Sequence, residues 1–376
     1  MWLLNAIYYV IPFIVLLSIL VFVHEFGHFI VARCLGVQVS AFSIGFGKTL
    51  WSKEDKHGTV WKISAVPLGG YCQFLGDGDA SSSSNEGLEN LTEEQKKHAF
   101  PLQNPFKKLA IVLAGPGFNY LLAILIYFVL FAWFGKFSIP PVISEVMDNS
   151  AAQEAGLQAG DRILNVNGHD VFEFSDISEE VFLATDHHVV LKVLRSGETL
   201  DFDIYLRQMD TPKQQKSVEK RYMLGIKSTG SVELDHQKLS VWQAFTESCN
   251  EVWRVTYMTL RGVGQMISGK RGSEDVGGIL RIAEMTGDIT KNETALDFVT
   301  FLALLSINLG LINLFPIPVL DGGHVVIFTL EILSGRELKE KTKEYLFKAG
   351  FLLLIALMIL ATFNDIIHLF HRWFNS

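Results

Sequence analysis

The chain has 376 residues, of which 49% are hydrophobic and only 19% charged, with a mean hydropathy of +0.28. That is too apolar for one ordinary soluble domain and points to a membrane protein. A formal charge of -8 leaves no basic footprint and excludes nucleic acid as a natural partner, while Cys34, Cys72 and Cys249, odd in number and without ligand spacing, read as free thiols rather than a disulfide framework.

Crossing a bilayer takes about 20 largely apolar residues, and four stretches qualify: Ile7 to Ala32, Leu109 to Phe134, Phe298 to Leu320 and Leu346 to Phe363. The first is interrupted by His24, Glu25 and His28, and the third carries Asn308 and Asn313 and ends at Asp321. Polar residues inside a span are costly and mark function by default. The first stretch is not read as a secretory signal, because no Lys or Arg precedes it and no small-residue cleavage site follows.

His24-Glu-Phe-Gly-His28 has the HExxH pattern. On a helix, positions i and i+4 share a face, so both imidazoles can reach one metal ion while the residue after the first His stands beside its water. Glu25 is then the candidate catalytic base. The bland alternative, two satisfied core histidines and a neutral Glu, buries three titratable groups without a partner charge. A catalytic zinc takes three protein ligands and leaves a fourth position open, so one more must come from elsewhere.

After the first span, Val60 to Ala65 and Tyr71 to Leu75 are strand-like, with Pro67-Leu-Gly-Gly70 supplying turn chemistry between them. The expectation is a β-hairpin whose edge strand can receive an extended peptide by β-augmentation, against the plainer reading of an ordinary cytoplasmic hairpin. The run from Asp77 to Gln95, with Ser81-Ser-Ser-Ser84, reads as a flexible linker.

Beyond the second span the composition turns to that of a soluble domain. Val142 to Val146 alternates, Gly156 to Gly168 holds a short strand between turn residues, Phe174 to Ala184 suits a helix, and Val189 to Leu194 with Leu200 to Leu206 form a hairpin around Ser196-Gly197. Leu239 to Ile267 is amphipathic but too charged to span, and is placed against the outer face of the membrane or of the protein.

Asp321 is the candidate third ligand. Pro316 and Pro318 break the helix before it, and Gly322 with Gly323 lets the backbone come close to a metal. His324 is adjacent and competes for that role. A capping Asp at a helix end is the plainer reading.

Orientation follows from charge. The turn between the last two spans holds Arg336, Lys339, Lys341, Lys343 and Lys348, whereas residues 1 to 6 hold no basic residue. Both termini are therefore expected outside, the loop from Arg33 to Lys108 in the cytoplasm, and Lys136 to Asp297 outside.

These motifs resemble the site-2 protease family of intramembrane zinc metalloproteases. The resemblance rests on HEFGH in the first span, Phe42-Ser-Ile-Gly-Phe-Gly-Lys48, Val66-Pro-Leu-Gly-Gly-Tyr71, Ala114-Gly-Pro-Gly-Phe-Asn119, and the stretch from Ser306 to Gly323, which together cover both membrane halves in order. It implies an α-helical polytopic membrane protein of about four spans with a re-entrant β-hairpin region and one inserted extracytoplasmic PDZ-like α+β domain.

The expected segments are 1–135 (first membrane half), 136–230 (PDZ-like), 231–297 (amphipathic juxtamembrane helices) and 298–376 (second membrane half). The resemblance favours Asp321 over His324 as the ligand joining His24 and His28 on Zn2+. It assigns substrate contact to Asn313 and Asn308, to the loops around Gly45, Gly47, Gly69 and Gly70, and to Asn119. Each of the three asparagines can instead serve only to bridge helices.

The implied activity is regulated intramembrane proteolysis in the bacterial inner membrane, with the PDZ-like domain periplasmic. The implied partners are the lipid bilayer and single-span substrates already shortened by another protease, such as an anti-sigma factor or a remnant signal peptide. Two departures stand out. Relatives carry two tandem PDZ domains where only one fits between Lys136 and Leu239, and Val276-Gly-Gly-Ile279 lacks the Pro expected after its glycines. Two other functions compete with that activity: a PDZ adaptor with a structural zinc, and a di-iron oxygenase. The latter needs clustered histidines, whereas His169, His187, His188 and His236 all lie outside the spans.

Overall fold

The computed structural model describes residues 2–76, 88, 91–184, 187–212, 218–228, 235–269 and 277–374. Contacts divide the chain into two compact units: Met1–Val129, Thr246–Tyr257 and Val276–Asp365 form the first, and Leu130–Phe245, Met258–Asp275 and Ile366–Ser376 the second.

The first unit opens with helix α1 (Trp2–Cys34), which carries the HExxH residues. Strands β1 (Val39–Glu54) and β2 (Val60–Phe74) follow and pair with each other. This corrects the expected hairpin. Pro67–Gly70 is not its turn, because β2 runs on through those residues, and the reversal falls at Asp55 to Thr59. There Asp55 accepts hydrogen bonds from the amides of His57 and Thr59, from Trp61 Nε1 and from Arg33 at the end of α1. Burial, the largest influence on the Asp55 carboxyl, pushes its pKa up, and these donors outweigh it and hold it at about 2.

Both long strands bend, so the segment Ala41 to Ile44 has partners on two sides: Val60 to Ile63 on one, Gln73 to Gly70 on the other. Residues 70–74 thereby become an edge. The sheet packs on α1 through Phe29, Phe42 and Trp61, whose rings meet at centroid distances of 4.8 to 5.4 Å.

Most of the expected linker lies outside the described residues. Its end is a helical turn, α2 (Glu93–Lys96), capped by a Thr92/Gln95 box. Helix α3 (Pro105–Phe134) follows.

The second unit is built largely of short strands. These are β3 (Lys136–Ser138) and β4 (Glu145–Val146), then after α4 (Ala151–Glu154) β5 (Arg162–Val166) and β6 (His169–Asp170). After α5 (Phe174–Phe182) come β7 (His188–Arg195), β8 (Glu198–Tyr205), β9 (Arg207–Pro212), β10 (Val218–Met223), β11 (Ile226–Lys227) and β12 (Asp235–Gln237).

The main sheet has the order β6-β5-β7-β8. The tight turn of its β7-β8 hairpin is Ser196-Gly197, both with positive φ, as a two-residue hairpin loop of this twist requires. The core joins Ile143, Ile163, Val166, Ile177, Val189, Leu191 and Val193, all at most 2% exposed. Beside it Arg195 pairs with the buried Asp161. Burial pushes the Asp161 carboxyl up, but its bonds from Arg195 and from the Gln158 amide prevail and keep it below the usual carboxylate range.

Helix α6 (Val241–Ile267) is the expected amphipathic segment, started by a Ser240/Gln243 capping box, with Glu251 and Arg254 paired at 2.7 Å. The first unit then resumes with α7 (Ile279–Asn292), α8 (Ala295–Asn313), α9 (Asp321–Ser334) and α10 (Glu340–Phe374). The third span is shorter than expected. It stops at Asn313, residues 314–320 form an irregular turn, and Asp321 opens α9 instead of ending the span.

Among the described residues, four helices, over Ile7–Cys34, Pro105–Phe134, Ala295–Asn313 and Lys341–Phe370, are long and apolar enough to cross a membrane. They expose rows of large apolar side chains, such as Ile7, Val10, Ile11, Leu121, Leu125, Val129, Leu352 and Ile359, which makes sense in hydrocarbon and not in water.

Where they meet, small residues let backbones approach. A Cβ on Gly27 would overlap Ala114 and Phe118, and one on Gly310 would press on Tyr120 and Pro116. Ser306 Oγ donates to the Asn119 carbonyl at 2.8 Å, fixing α8 to α3. At the far end of α10 the buried Asp365 carboxylate accepts from the amides of Gly278, Leu280 and Arg281, capping the start of α7.

Candidate metal centre

Two helices converge on one point. From α1, His24 and His28 turn their Nε2 atoms to within 3.3 Å of each other. From the start of α9, Asp321 brings Oδ2 to 3.1 Å from His24 Nε2 and 3.5 Å from His28 Nε2. The irregular turn delivers this carboxylate: Pro316 and Pro318 cannot continue α8, and the chain folds so closely that a Cβ on Gly322 or Gly323 would overlap Leu314, Phe315, Ile317 or Pro318. Packed on the turn is Gly350 of α10, where an added Cβ would lie 2.7 Å from Pro318 Cδ.

The outer ring nitrogens of both histidines are engaged. His28 Nδ1 donates to the Ile111 carbonyl at 2.9 Å, which leaves the Nε2 lone pair facing the centre. His24 Nδ1 lies 3.2 Å from the Asn119 amide nitrogen, while Asn119 Oδ1, fully buried, has no hydrogen-bond partner. Turning the amide over places Oδ1 against Nδ1–H and frees His24 Nε2 as a second lone pair. Asp321 Oδ2 is itself a buried oxygen with no hydrogen-bond partner.

Two imidazole lone pairs and an unsatisfied carboxylate oxygen, all within 4.8 Å of one another, form a donor set that fits a three-protein-ligand zinc site. Among the described residues no other group of this kind occurs.

Glu25 is half-buried and lines two cavities flanking this group, one of about 750 Å³ and one of about 270 Å³. Asn313 lines the smaller one and its Nδ2 stands 3.5 Å from His24 Nε2. Gly69 and Gly70 lie in its wall.

The remaining expected contacts are placed otherwise. Gly45 and Gly47, with φ of 89° and 83°, line neither cavity and instead shape the bend in β1 that aims Phe46 into both. Asn308 lines neither, and Asn119 is sealed behind His24 with 0% exposure, out of a substrate's reach. His324 lines the larger cavity, its ring 5.1 Å from that of Phe347, outside the ligand group.

Ile111 and Gly115 are functional positions that the sequence reading missed. A Cβ on Gly115 would run into both imidazoles. Only the small-residue run Ala114-Gly-Pro-Gly117 hinted that something must fit against α3 there.

Comparison with known proteins accords with this geometry. Residues 12–357 match the model of peptidase family M50. The chain belongs to this family of site-2 proteases. It is 38% identical over 361 residues to a protein of Agrobacterium fabrum, covering 95% of each chain. Over 362 residues it is 39% identical to one of Rickettsia conorii, covering 96% of this chain and 99% of the relative. A Campylobacter jejuni protein is 38% identical over 357 residues, 94% of this chain and 92% of the relative. All three carry zinc-metalloprotease names. The protein is a zinc metalloprotease of the membrane, with about four spanning helices.

The Asn119 bond has a measurable consequence. Asn119→Leu, which keeps the size but removes the acceptor, is expected to weaken zinc binding about 10- to 100-fold in chelator competition, the usual effect of losing a histidine's outer partner. Unchanged affinity would show that the amide only bridges helices.

Proposed function

We propose that the protein carries out regulated intramembrane proteolysis, hydrolysing a peptide bond inside the transmembrane segment of a single-span protein. The observation that carries this is the position of the metal group. His24, Glu25 and His28 lie within Ile7–Cys34, itself a candidate span.

A zinc ion held by His24, His28 and Asp321 supplies Lewis acidity to the scissile carbonyl and to a water molecule. Glu25 accepts the proton of the attacking water and returns it to the leaving amine. Asn313, beside His24, is placed to hydrogen-bond the substrate main chain near the cut.

A helical substrate hides its carbonyls and must be extended before attack. Residues 70–74, the sheet edge that faces the metal group, offer main-chain pairing to a strand, which is the role of a re-entrant hairpin.

The charge pattern supports an orientation with both termini and the β-rich segment 136–230 on the periplasmic side of a bacterial inner membrane. Segment 136–230, read as a PDZ-like domain, serves to admit substrates only after another protease has shortened them. Anti-sigma factors and remnant signal peptides are substrates of this form. Since His28 lies about two turns before Arg33, the cut belongs in the inner half of the substrate span.

The test is incubation of the purified protein with a single-span model substrate. Chelator-sensitive cleavage with product masses that place the cut inside the span is the expected result. Cleavage confined to residues outside the span would overturn the reading. An adaptor with a merely structural zinc would cut nothing.

A further inference from the structure

The two cavities beside the metal group share His24, Glu25, Phe46, Gly70, Val319 and Asp321 and differ in everything else. The smaller, of about 270 Å³, extends toward the N-terminal end of α1 and is closed by Val21, Leu309 and Asn313. The larger, of about 750 Å³, extends past His28 and is walled by Phe74, Phe100, Val112, Phe347 and Phe351, with His324 and the solvent-exposed Glu344–Lys348 ion pair as its polar lining. The same order appears along β2, where Gly69 faces only the smaller cavity and Tyr71, Cys72 and Phe74 only the larger. An extended peptide lying along residues 70–74 therefore passes from one cavity to the other at the level of Glu25.

We propose that these cavities are unequal subsites on either side of the scissile bond, so that the enzyme selects substrates by a step in side-chain size across the cut. This rests on the proteolytic reading above and adds the substrate class to it.

The smaller cavity must hold main chain as well as side chain, and Asn313 gives it a polar wall. It suits Gly, Ala or Ser, residues that also weaken a helix or hydrogen-bond the backbone. Its larger neighbour, nearly three times the volume and lined with aromatic rings, suits Leu, Phe or another bulky apolar side chain.

Polarity is taken from antiparallel pairing, the commoner arrangement of neighbouring strands. Residues 70–74 run antiparallel to their partner in β1. A substrate strand antiparallel to 70–74 in turn enters from the Phe74 side, at the larger cavity, and leaves past Gly69. The residue before the cut is then bulky and the residue after it small.

The experiment is cleavage of single-span peptides by the zinc-loaded full chain, with the pair flanking the mapped cut set to Phe-Ala, Ala-Phe, Phe-Phe or Ala-Ala. Phe-Ala is expected to exceed Ala-Phe by about tenfold or more in kcat/KM, the scale on which an apolar pocket discriminates by size. Two variants with retained zinc then separate the pockets. Leu309→Ala, which opens the smaller cavity, should raise Phe-Phe relative to Phe-Ala. Phe351→Ala, on the half-exposed outer wall of the larger cavity, should lower Phe-Ala relative to Ala-Ala.

Equal cleavage of all four peptides, or preference for Ala-Phe, overturns the subsite proposal and leaves the proteolytic reading intact. No cleavage of any peptide by zinc-loaded protein would overturn that reading itself, and this proposal with it.

Discussion

Glu25→Gln protein is expected to keep its zinc and its fold while losing span-peptide cleavage by about a hundred- to ten-thousandfold, the usual worth of a positioned general base. The substitution preserves the shape of the side chain and removes its ability to take a proton. Glu25 is half-buried, stands between the two cavities that flank the metal group, and lies on the same helix as both histidines. The outer nitrogens of the histidines bind Ile111 and Asn119, not Glu25, so the ligands do not depend on it for orientation. Metal analysis, thermal unfolding and kcat/KM for one model substrate suffice as readouts. Cleavage retained within a few-fold would sink the general-base role, while joint loss of zinc and activity would show that Glu25 supports the site instead of acting in it.

How much of this site could be read from the sequence depended on how local each part was. HExxH is legible because a helix brings residues four apart onto one face, so the spacing alone puts His24 and His28 together. Pro316, Pro318, Gly322 and Gly323 mark broken backbone at a depth where breakage needs a reason, which points to this turn but leaves Asp321 and His324 both open, and the preference for Asp321 comes from the family resemblance.

Asn119, Ile111 and Gly115 left no such trace. Their contacts with α1 cross 83 to 95 residues of chain, and nothing in the spacing of α3 records which carbonyl or amide will meet an imidazole. For Asn119 the sequence leaves substrate contact and helix bridging both open, and its contact with His24 joins α3 to α1.

The hairpin shows the same limit. Pro67 and Gly69-Gly70 carry strong turn chemistry, yet β2 passes through them, because the strand bends to pair with β1 on both flanks. Strand β1 itself, Val39–Glu54, went unread: Gly45, Gly47 and Lys48 interrupt the alternation on which a strand assignment rests. In the third span, hydropathy ran on through Leu314 to Leu320 although the helix stops at Asn313, since apolar composition marks depth and not conformation.

The second large effect concerns the third ligand. Asp321→Ala is expected to reduce zinc content to a small fraction of one per chain and His324→Ala to leave it near one, each measured by elemental analysis of the solubilised full chain. The reason is geometric. Asp321 Oδ2 lies within 3.5 Å of both histidine Nε2 atoms and has no other partner, whereas His324, one turn further along α9, packs against Phe328 and Phe347. Two imidazoles alone fall short of the three protein ligands that a catalytic zinc needs.

Loss of metal through misfolding is separable from loss of a ligand. The turn that presents Asp321 is set by Pro316, Pro318 and the close packing of Gly322, Gly323 and Gly350, none of which involves the carboxylate. Asp321→Ala should therefore stay monodisperse in detergent with unchanged helical circular dichroism while the metal is gone. Asp321→Glu reaches one methylene further and should recover part of the zinc but little of the activity, because the ion would be displaced from Glu25. Zinc retained by Asp321→Ala and lost by His324→Ala would instead transfer the ligand role to the histidine and require the start of α9 to shift by most of a turn along its axis.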